Sequence, residues 1–383
     1  MTKFIYRWLN NSAQCSRSRK VPHRPLLSIA MLLVTVFWGL SIALWTPTSI
    51  AALPAGNAIT DGRALLRYAL PIDNQPVRQL QESIEDIATQ LRANRRWGAI
   101  SKDLSTASRS INNPVQLLKS IPSEQQSQAQ DLIAEIKQGI ADLQQAADGK
   151  DKEKIWLARA NVLNLIGELE ELMVQGFPFE VPAEYSNLPQ LKGRATVEIT
   201  TNKGPITIVV DGYSAPVTAG NFVDLVQRGF YDGLEFIRAE DSYVLQTGDP
   251  QGPEQGFIDP ATGKYRAIPL EVLVKGDPAP TYGITLEQAG RFREEPVLPF
   301  SAYGAVAMAR PEFETNGGSS QFFFFLFEPE LTPAGRNLLD GRYSVFGYLT
   351  EGKEVLEKLD AGDKIESAKV VQGAKNLVQP QSA

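Results

Sequence analysis

Histidine and cysteine are almost absent from this sequence of 383 residues, which contains one copy of each, His23 and Cys15. Both precede a long apolar run that is typical of a removable leader. A mature chain without that leader has neither residue type. It therefore cannot form Ser-His-Asp or Cys-His nucleophilic sites, disulfides, or zinc sites that use histidine or cysteine. We expect no metal and no cofactor, which leaves arginine, lysine, carboxylates and backbone groups for any chemistry.

Acidic residues are absent from the first 51 positions, which carry six lysines and arginines. The stretch Pro25–Trp45 has no charge, and Ser49-Ile50-Ala51 offers the small residues that a signal peptidase requires. The pattern predicts an export signal over residues 1–51. The apolar stretch is also close to the ~20 residues that span a bilayer, so an uncleaved anchor is the alternative and the only membrane contact that we expect. In both cases the rest of the chain lies outside the cytoplasm.

The formal charge argues against polyanionic partners. The full sequence carries a charge of −6, and removal of the six basic residues of the leader would change it to −12. A strongly acidic protein is a poor match for nucleic acid or for an anionic membrane surface. Peptides and proteins are therefore the expected partners.

Apolar residues recur in steps of three and four between residues 52 and 176. One such series comprises Leu80, Ile84, Ile87 and Leu91, and another comprises Ile133, Ile136, Ile140 and Leu143. Steps of this size predict amphipathic helices, each with one buried stripe. Several such helices joined by short connections predict an all-α bundle. The pattern ends at Gly176, and the proline-rich residues 177–194 predict an extended linker.

Period-two alternation replaces the helical pattern from Ala195 onward. Two alternating runs flank the turn at Asn202-Lys203-Gly204 and predict a β-hairpin, which a helix over Ala215–Arg228 follows. Four short motifs then occur in a fixed order. They are Phe236-Ile237-Arg238, Gln246-Thr247-Gly248-Asp249, Met308-Ala309-Arg310 and Ser320-Gln321-Phe322-Phe323.

These four motifs resemble the active-site landmarks of cyclophilins, the barrel-shaped peptidyl-prolyl cis-trans isomerases. The resemblance extends over about residues 195–372 and leaves residues 373–383 as a C-terminal tail. It implies a multidomain fold, with an all-α helical bundle followed by a cyclophilin-like closed β-barrel with flanking helices. The bundle at residues 52–176 is similar, by its pattern and its order in the chain, to the PsbQ-like domain of large thylakoid-lumen cyclophilins.

The resemblance also implies roles for individual residues. Arg238 takes the place of the family's catalytic arginine, and Gln246 that of the glutamine that positions this arginine and binds the substrate backbone. Arginine suits the chemistry, because twisting an X-Pro amide needs a donor aimed at the prolyl nitrogen and no nucleophile or metal. The positions implied to bind substrate are Tyr243, Val244, Ala309, Arg310, Gln321, Phe323, Leu338, Leu339 and Tyr343. Because side chains alternate along a strand, Phe323 should face the groove while Phe322 and Phe324 fill the core.

Five of the implied binding positions depart from the residues that the family usually carries. Tyr243 replaces phenylalanine, Val244 methionine, Arg310 asparagine, Leu338 tryptophan and Tyr343 histidine. The arginine and the glutamine persist while the walls of the groove differ. We therefore expect weak isomerase activity.

The sequence thus predicts a peptidyl-prolyl isomerase that acts on exported proteins in the thylakoid lumen or periplasm and helps to assemble photosynthetic membrane complexes. The expected partners are proline-containing segments of exported or membrane proteins, with photosystem II subunits among them. The alternative is a low-activity or non-catalytic assembly factor that binds such segments. Two possibilities remain open for the linker at residues 177–194: it packs between the domains, or its prolines occupy the groove.

Overall fold

A computed structural model describes residues 59–93, 96–253, 255–260, 262–327 and 337–380. The export signal predicted at residues 1–51 lies outside the described residues. None of the helices in the described ranges combines the length and the apolar character that crossing a membrane requires.

Helices make up the first part of the described chain. They are α1 (Gly62–Ala69), α2 (Gln75–Arg92), α3 (Trp97–Ile111), α4 (Pro114–Leu118), α5 (Gln126–Asp148) and α6 (Lys152–Leu172). Side-chain caps begin three of them, because Asp61, Asn74 and Asp151 accept hydrogen bonds from backbone N–H groups in the first turn. The predicted helical character of this region is confirmed.

Four of these helices form a ring around one apolar core. Helix α2 packs on α3 and α6, and α5 packs on the same two helices. The buried stripes predicted from the sequence, including Ile84 and Ile136, meet in this core. Helices α5 and α6 approach closely at Gly139, where a Cβ atom would lie 2.5 Å from Cγ2 of Val162. A glycine at this position therefore sets the distance between the two helices.

Strands and two further helices form the second part. The strands are β1 (Gln190–Leu191), β2 (Arg194–Thr201), β3 (Gly204–Asp211), β4 (Phe236–Glu240), β5 (Val244–Thr247), β6 (Ile258–Asp259), β7 (Lys264–Tyr265), β8 (Glu271–Val272), β9 (Thr281–Tyr282), β10 (Ala305–Met308), β11 (Phe322–Phe325), β12 (Val345–Glu351), β13 (Ile365–Gln372) and β14 (Leu377–Val378). Helix α7 (Pro216–Gln227) follows β3, and α8 (Lys353–Leu356) follows β12.

Eight of the strands form one antiparallel sheet in the order β13-β2-β3-β12-β10-β11-β5-β4. The edge strand β4 meets the segment just before the other edge strand, β13. There the N–H of Phe236 donates to Asp363 O and its carbonyl accepts from Gly362 N, both at 2.8 Å. These bonds join the two edges of the curled sheet. Phe222 of α7 lies within ring contact of Tyr231, Phe322 and Phe346 inside it. The predicted barrel with flanking helices is confirmed.

The linker packs on the barrel through its aromatic side chains. The ring of Phe177 stacks on that of Tyr213, and Tyr185 contacts Tyr282 with 5.3 Å between ring centroids. Strand β1, at the end of this segment, pairs with β14 near the C-terminus. These contacts pack the segment on the barrel, and packing between the domains stays a prediction.

Helix α1 is not part of the four-helix ring and lies against the outer face of the barrel. Its Leu65 and Leu66 join an apolar cluster with Phe323 and Tyr348 of the sheet. Arg63 donates from Nε and Nη2 to the carbonyl oxygen of Thr350, at 3.1 and 2.8 Å. Sequence patterns did not separate α1 from the bundle, because its partners lie about 280 residues away along the chain.

Candidate active site

A row of directly paired residues crosses the outer face of the sheet. Arg238 of β4 is paired with Gln246 of β5, which is paired with Phe323 of β11, and Phe323 with Ala307 of β10. Direct partners in antiparallel strands share one face of a sheet, so these side chains lie side by side. The opposite face carries Phe322 and Phe324, which lie in the barrel core. The predicted alternation of the phenylalanines is therefore confirmed.

Arg238 forms one end of the row. Its side chain is 52% exposed, and its Nε donates to Oε1 of Glu240 at 2.7 Å. The Nη2 atom bonds the same oxygen. Glu240 lies two residues further along β4 and hence on the same face as Arg238. The sequence did not identify this ion pair, although the spacing of two along a strand is the signal that could have shown it.

Gln246 lies in the middle of the row and is connected to polar groups behind it. Its Nε2 donates to Oε1 of Gln321 at 2.7 Å. Gln321 Nε2 in turn donates to Oδ1 of Asp249 at 2.8 Å and to the carbonyl of Gln255 at 2.9 Å. Two predicted site residues, Gln246 and Gln321, are thus in direct contact. Asp249 is a third member that the sequence reasoning did not assign to the site.

Phe323 provides an apolar surface that is largely covered. Its ring stacks on that of Phe300, with centroids 6.0 Å apart and planes at 4°, and the ring of Tyr343 meets it edge-on at 5.4 Å. Phe323 is only 6% exposed. The backbone N–H of Phe300 donates to Oδ1 of Asp340 at 2.8 Å, which holds Phe300 in place. A proline ring bound here would meet a shallow pocket, and no sequence motif pointed to Phe300.

Arg310 and Tyr343 form one rim of the groove. The Arg310 guanidinium lies 5.1 Å from the centroid of the Tyr343 ring, within cation–π range. It also donates to the carbonyl oxygens of Pro311, Glu312 and Arg342 at 2.7 to 3.1 Å. The side chain therefore ties two loops together. Burial lowers the pKa of Arg310 from its usual value.

The remaining predicted positions differ in how they meet the groove. Val244 is buried in the cluster that contains Phe323, with Leu339 and Ala309 packed against it. The N–H of Ala309 donates to Gln321 O at 2.9 Å. Tyr243 is 37% exposed and touches Phe325, whereas Leu338 is 86% exposed. Leu338 therefore points away from the covered floor.

In the part of the chain that the structure describes, no group of three or more histidine, cysteine or acidic residues is placed to hold a metal ion. The row instead combines a fixed positive charge, an amide and an aromatic surface. Such a set can bind a peptide and donate a hydrogen bond to it, and it contains no nucleophile.

Comparisons with known proteins agree with this geometry. The family model described as cyclophilin type peptidyl-prolyl cis-trans isomerase matches residues 196–376, and the model of the PsbQ-like domain of CYP38-like isomerases matches residues 61–174. A protein of Synechocystis sp. named as a thylakoid lumen peptidyl-prolyl cis-trans isomerase is 59% identical over 93% of this chain and 95% of its own length.

Two proteins of Arabidopsis thaliana are also similar. The chloroplastic peptidyl-prolyl cis-trans isomerases CYP38 and CYP37 are 44% and 34% identical, over 86% and 90% of this chain and 78% and 76% of their own lengths. All three relatives match both halves of the chain. This protein belongs to the cyclophilin-type peptidyl-prolyl cis-trans isomerase family, in the group whose members carry a PsbQ-like helical domain before the barrel.

Proposed function

We propose that this chain isomerises X-Pro bonds in proline-containing segments of exported proteins, with Arg238 as the catalytic donor. The observation that carries the proposal is the row across β4, β5 and β11, which places a guanidinium, an amide and an aromatic ring on one face. The names of the similar proteins support the thylakoid lumen as the compartment.

The geometry suits the reaction because only rotation has to be accelerated. Turning the X-Pro bond breaks amide resonance, with a barrier of about 18–20 kcal/mol. Halfway through the rotation, the prolyl nitrogen becomes pyramidal and gains a lone pair that accepts a hydrogen bond. A half-exposed guanidinium on the sheet face can donate to that lone pair. The bond exists only in the transition state, so it raises the rate rather than the affinity.

When substrate binds, Arg238 has to release Glu240 and bind the substrate instead. The ion pair is about half exposed on both sides, with side-chain exposures of 52% and 46%. Pairs of this kind contribute roughly 0–1 kcal/mol. Breaking the ion pair therefore costs little free energy, and Gln246 can hold the guanidinium once Glu240 has released it.

Replacement of Arg238 by alanine tests the proposal. We expect Arg238→Ala to lower kcat/KM by more than about tenfold, which corresponds to about 1.4 kcal/mol of transition-state stabilisation. A protease-coupled assay with a proline peptide measures it, and circular dichroism verifies the fold. Arg228→Ala is the matched control, because Arg228 is also partly exposed and paired with an aspartate, Asp224, but lies outside the row. Equal rates for Arg238→Ala and the parent would refute the role of Arg238.

A second candidate function is binding without efficient turnover, as an assembly factor for photosystem II subunits. The covered ring of Phe323 favours it, because a shallow pocket grips proline weakly. The match of residues 61–174 to a PsbQ-like domain supports the choice of partner. Affinity isolation from thylakoid membranes distinguishes the two functions. If the protein is an assembly factor, the parent chain and Arg238→Ala should retain photosystem II subunits equally well. Absence of those subunits from both samples would exclude them as partners.

A further inference from the structure

Three polar side chains form a continuous chain of hydrogen bonds that ends at the catalytic row. Asp249 Oδ1 accepts from Gln321 Nε2 at 2.8 Å, and Gln321 Oε1 accepts from Gln246 Nε2 at 2.7 Å. Gln246 is directly paired across the sheet with Arg238. Two residues, Gln321 and Gln246, thus lie between Asp249 and Arg238.

The direction of these bonds follows from the chemistry of the first member. An ionised carboxylate only accepts hydrogen bonds, so Gln321 must turn its NH₂ group toward Asp249. The carbonyl of Gln255, which accepts from the same nitrogen at 2.9 Å, imposes the same orientation. The oxygen of Gln321 then faces Gln246, which must offer its own NH₂ group. The oxygen of Gln246 is then left free of this chain of bonds, on a residue that is directly paired with Arg238 across the sheet.

We infer that Asp249 is a positioning residue, which fixes the amide of Gln246 through Gln321 so that the Gln246 oxygen faces the guanidinium of Arg238. The inference rests on the proposed function of Arg238. A guanidinium has donors only, so a Gln246 oxygen attracts it, while a reversed amide would set NH₂ against it. The orientation of one amide thereby decides whether Arg238 is held where the prolyl nitrogen binds.

The local backbone explains how Asp249 reaches this position. Strand β5 ends at Thr247, and Gly248 follows with φ of +93°. A Cβ atom on Gly248 would lie 2.4 Å from Ser320 O, so no other residue fits there without a shift of the backbone. Ser320 Oγ donates to Gly248 O at 2.8 Å and fixes the turn. The chain therefore leaves β5 alongside the start of β11, which brings Asp249 to Gln321.

The test exchanges donors and acceptors while keeping the side chains nearly the same size. Asp249→Asn introduces an amide that can present either a donor or an acceptor to Gln321. The exposed bond from Gln321 to the Gln255 carbonyl then favours the parent orientation without help from a carboxylate, so part of the population should reverse the chain of bonds and kcat should fall by up to about tenfold. Gln321→Glu should lower kcat as well, because it sets two acceptors against each other.

The double variant, Asp249→Asn with Gln321→Glu, restores matched donors and acceptors between positions 249, 321 and 246, while the Gln255 carbonyl, whose bond to Gln321 is exposed, turns to water instead. The amide introduced at position 249 can donate its NH₂ group to the carboxylate introduced at position 321. That carboxylate again accepts from the NH₂ group of Gln246, as the Gln321 oxygen does in the parent. We expect the kcat of the double variant to recover to within about threefold of the parent.

Exchange spectroscopy by NMR at saturating peptide gives kcat, and titration gives the peptide Kd. A positioning role changes kcat in the single variants while Kd changes less than about twofold. Asp241→Asn is the control, because Asp241 is an exposed aspartate in the β4–β5 turn outside the chain of bonds. A kcat for Asp249→Asn equal to that of the parent, or a double variant slower than either single variant, would overturn the inference while Arg238→Ala remained inactive. Absence of catalysis by the parent would instead overturn the proposed function and the inference with it.

Discussion

At the scale of single residues, the ion pair between Arg238 and Glu240 would control how readily Arg238, the proposed catalytic donor, is available. Both side chains are about half exposed, so the pair contributes little to folding. Under the proposed function, Glu240 would compete with the substrate for the Arg238 guanidinium.

We expect Glu240→Gln to raise kcat/KM by about two- to fivefold, because the neutral amide holds the guanidinium less tightly than a carboxylate does. The protease-coupled assay measures kcat/KM. The free energy of unfolding, followed by thermal unfolding, should change by less than about 0.5 kcal/mol. Glu366→Gln, at an exposed position on β13, is the control. A lower rate for Glu240→Gln would mean that Glu240 orients Arg238 instead of restraining it.

Phe300 controls how much of Phe323 a proline can touch. Phe300 is 2% exposed and stacks on Phe323. Phe300→Leu should therefore cost about 1–2 kcal/mol of stability and expose part of the Phe323 ring. We expect proline-peptide affinity to increase, as titration calorimetry would show. Phe322→Leu, on the core side of the same strand, should cost stability without raising affinity. An affinity that is unchanged in Phe300→Leu would indicate that the peptide binds elsewhere on the face.

At the scale of elements, helix α1 depends on a glycine for its contact with the barrel. A Cβ atom on Gly62 would lie 2.7 Å from Cβ of Tyr348, whose hydroxyl is fixed by Pro299 O at 2.7 Å. We expect Gly62→Ala to destabilise the protein by about 1–3 kcal/mol, although alanine favours helix formation. Gly98→Ala in α3 is the matched control, because no atom lies within 4 Å of its added methyl group, and it should stabilise slightly. Urea unfolding compares the two variants. A change in the free energy of unfolding with the same sign in both would contradict the close contact at Gly62.

Strand β8 contributes a buried carboxylate to the start of helix α7. Oxygens of Glu271 accept from Val217 N and Thr218 N at 3.3 and 2.9 Å, yet burial outweighs these bonds and raises the pKa of Glu271 from 4.5 to about 7. The folded state therefore binds more protons than the unfolded state between these two values. The contribution of this group to stability is full below about pH 4.5 and is lost as the pH rises through 7.

Glu271→Gln should accordingly flatten the pH dependence of stability. We expect the parent to unfold at a higher urea concentration at about pH 5.5 than at about pH 8, and the variant to show a smaller difference. Glu366→Gln, which removes an exposed carboxylate, should keep the parent's dependence. Parallel curves for Glu271→Gln and the parent would show that another group causes the effect.

At the scale of the whole molecule, Arg194 joins the bundle to the barrel. Its Nε donates to Oδ1 of the fully buried Asp211 at 2.7 Å, and its Nη2 donates to Leu66 O of helix α1. Nη1 lies 3.8 Å from an oxygen of Glu171 in α6. One guanidinium thus contacts the start of the described chain, the bundle and the sheet.

Loss of this guanidinium should uncouple the two parts. We expect Arg194→Met to cost about 3–5 kcal/mol, because it leaves Asp211 charged and buried without its cation. Calorimetry should show two transitions where the parent shows one. The double variant Arg194→Met with Asp211→Asn should recover part of the stability, since it removes the unpaired charge. A single sharp transition in Arg194→Met would mean that apolar contacts of α1 alone couple the parts.

The sequence predicted those features that depend on local order and missed those that join distant segments. Helical stripes such as Leu80, Ile84 and Ile87 and the alternation at Phe322–Phe325 follow from periods of 3.6 and 2, which neighbouring residues define. The motif around Gln246 also predicted a place in the site. In contrast, the cover by Phe300 and the link from Asp249 to Gln321 depend on tertiary contacts over 23 and 72 residues, which no local pattern encodes.

The contact between helix α1 and strand β12 also sets the order of events when the protein is made. Arg63 and Thr350 are 287 positions apart, so helix α1 can pack on β12 only after nearly all of the chain has been synthesised. A chain that enters its compartment amino end first must keep Leu65 and Leu66 uncovered during that interval, and contacts of such long separation form slowly. A product interrupted before residue 345 lacks Val345 and Tyr348 of the apolar cluster around these leucines and the Thr350 carbonyl that binds Arg63. We therefore expect unfinished chains to leave the apolar side of α1 more exposed than the complete chain does.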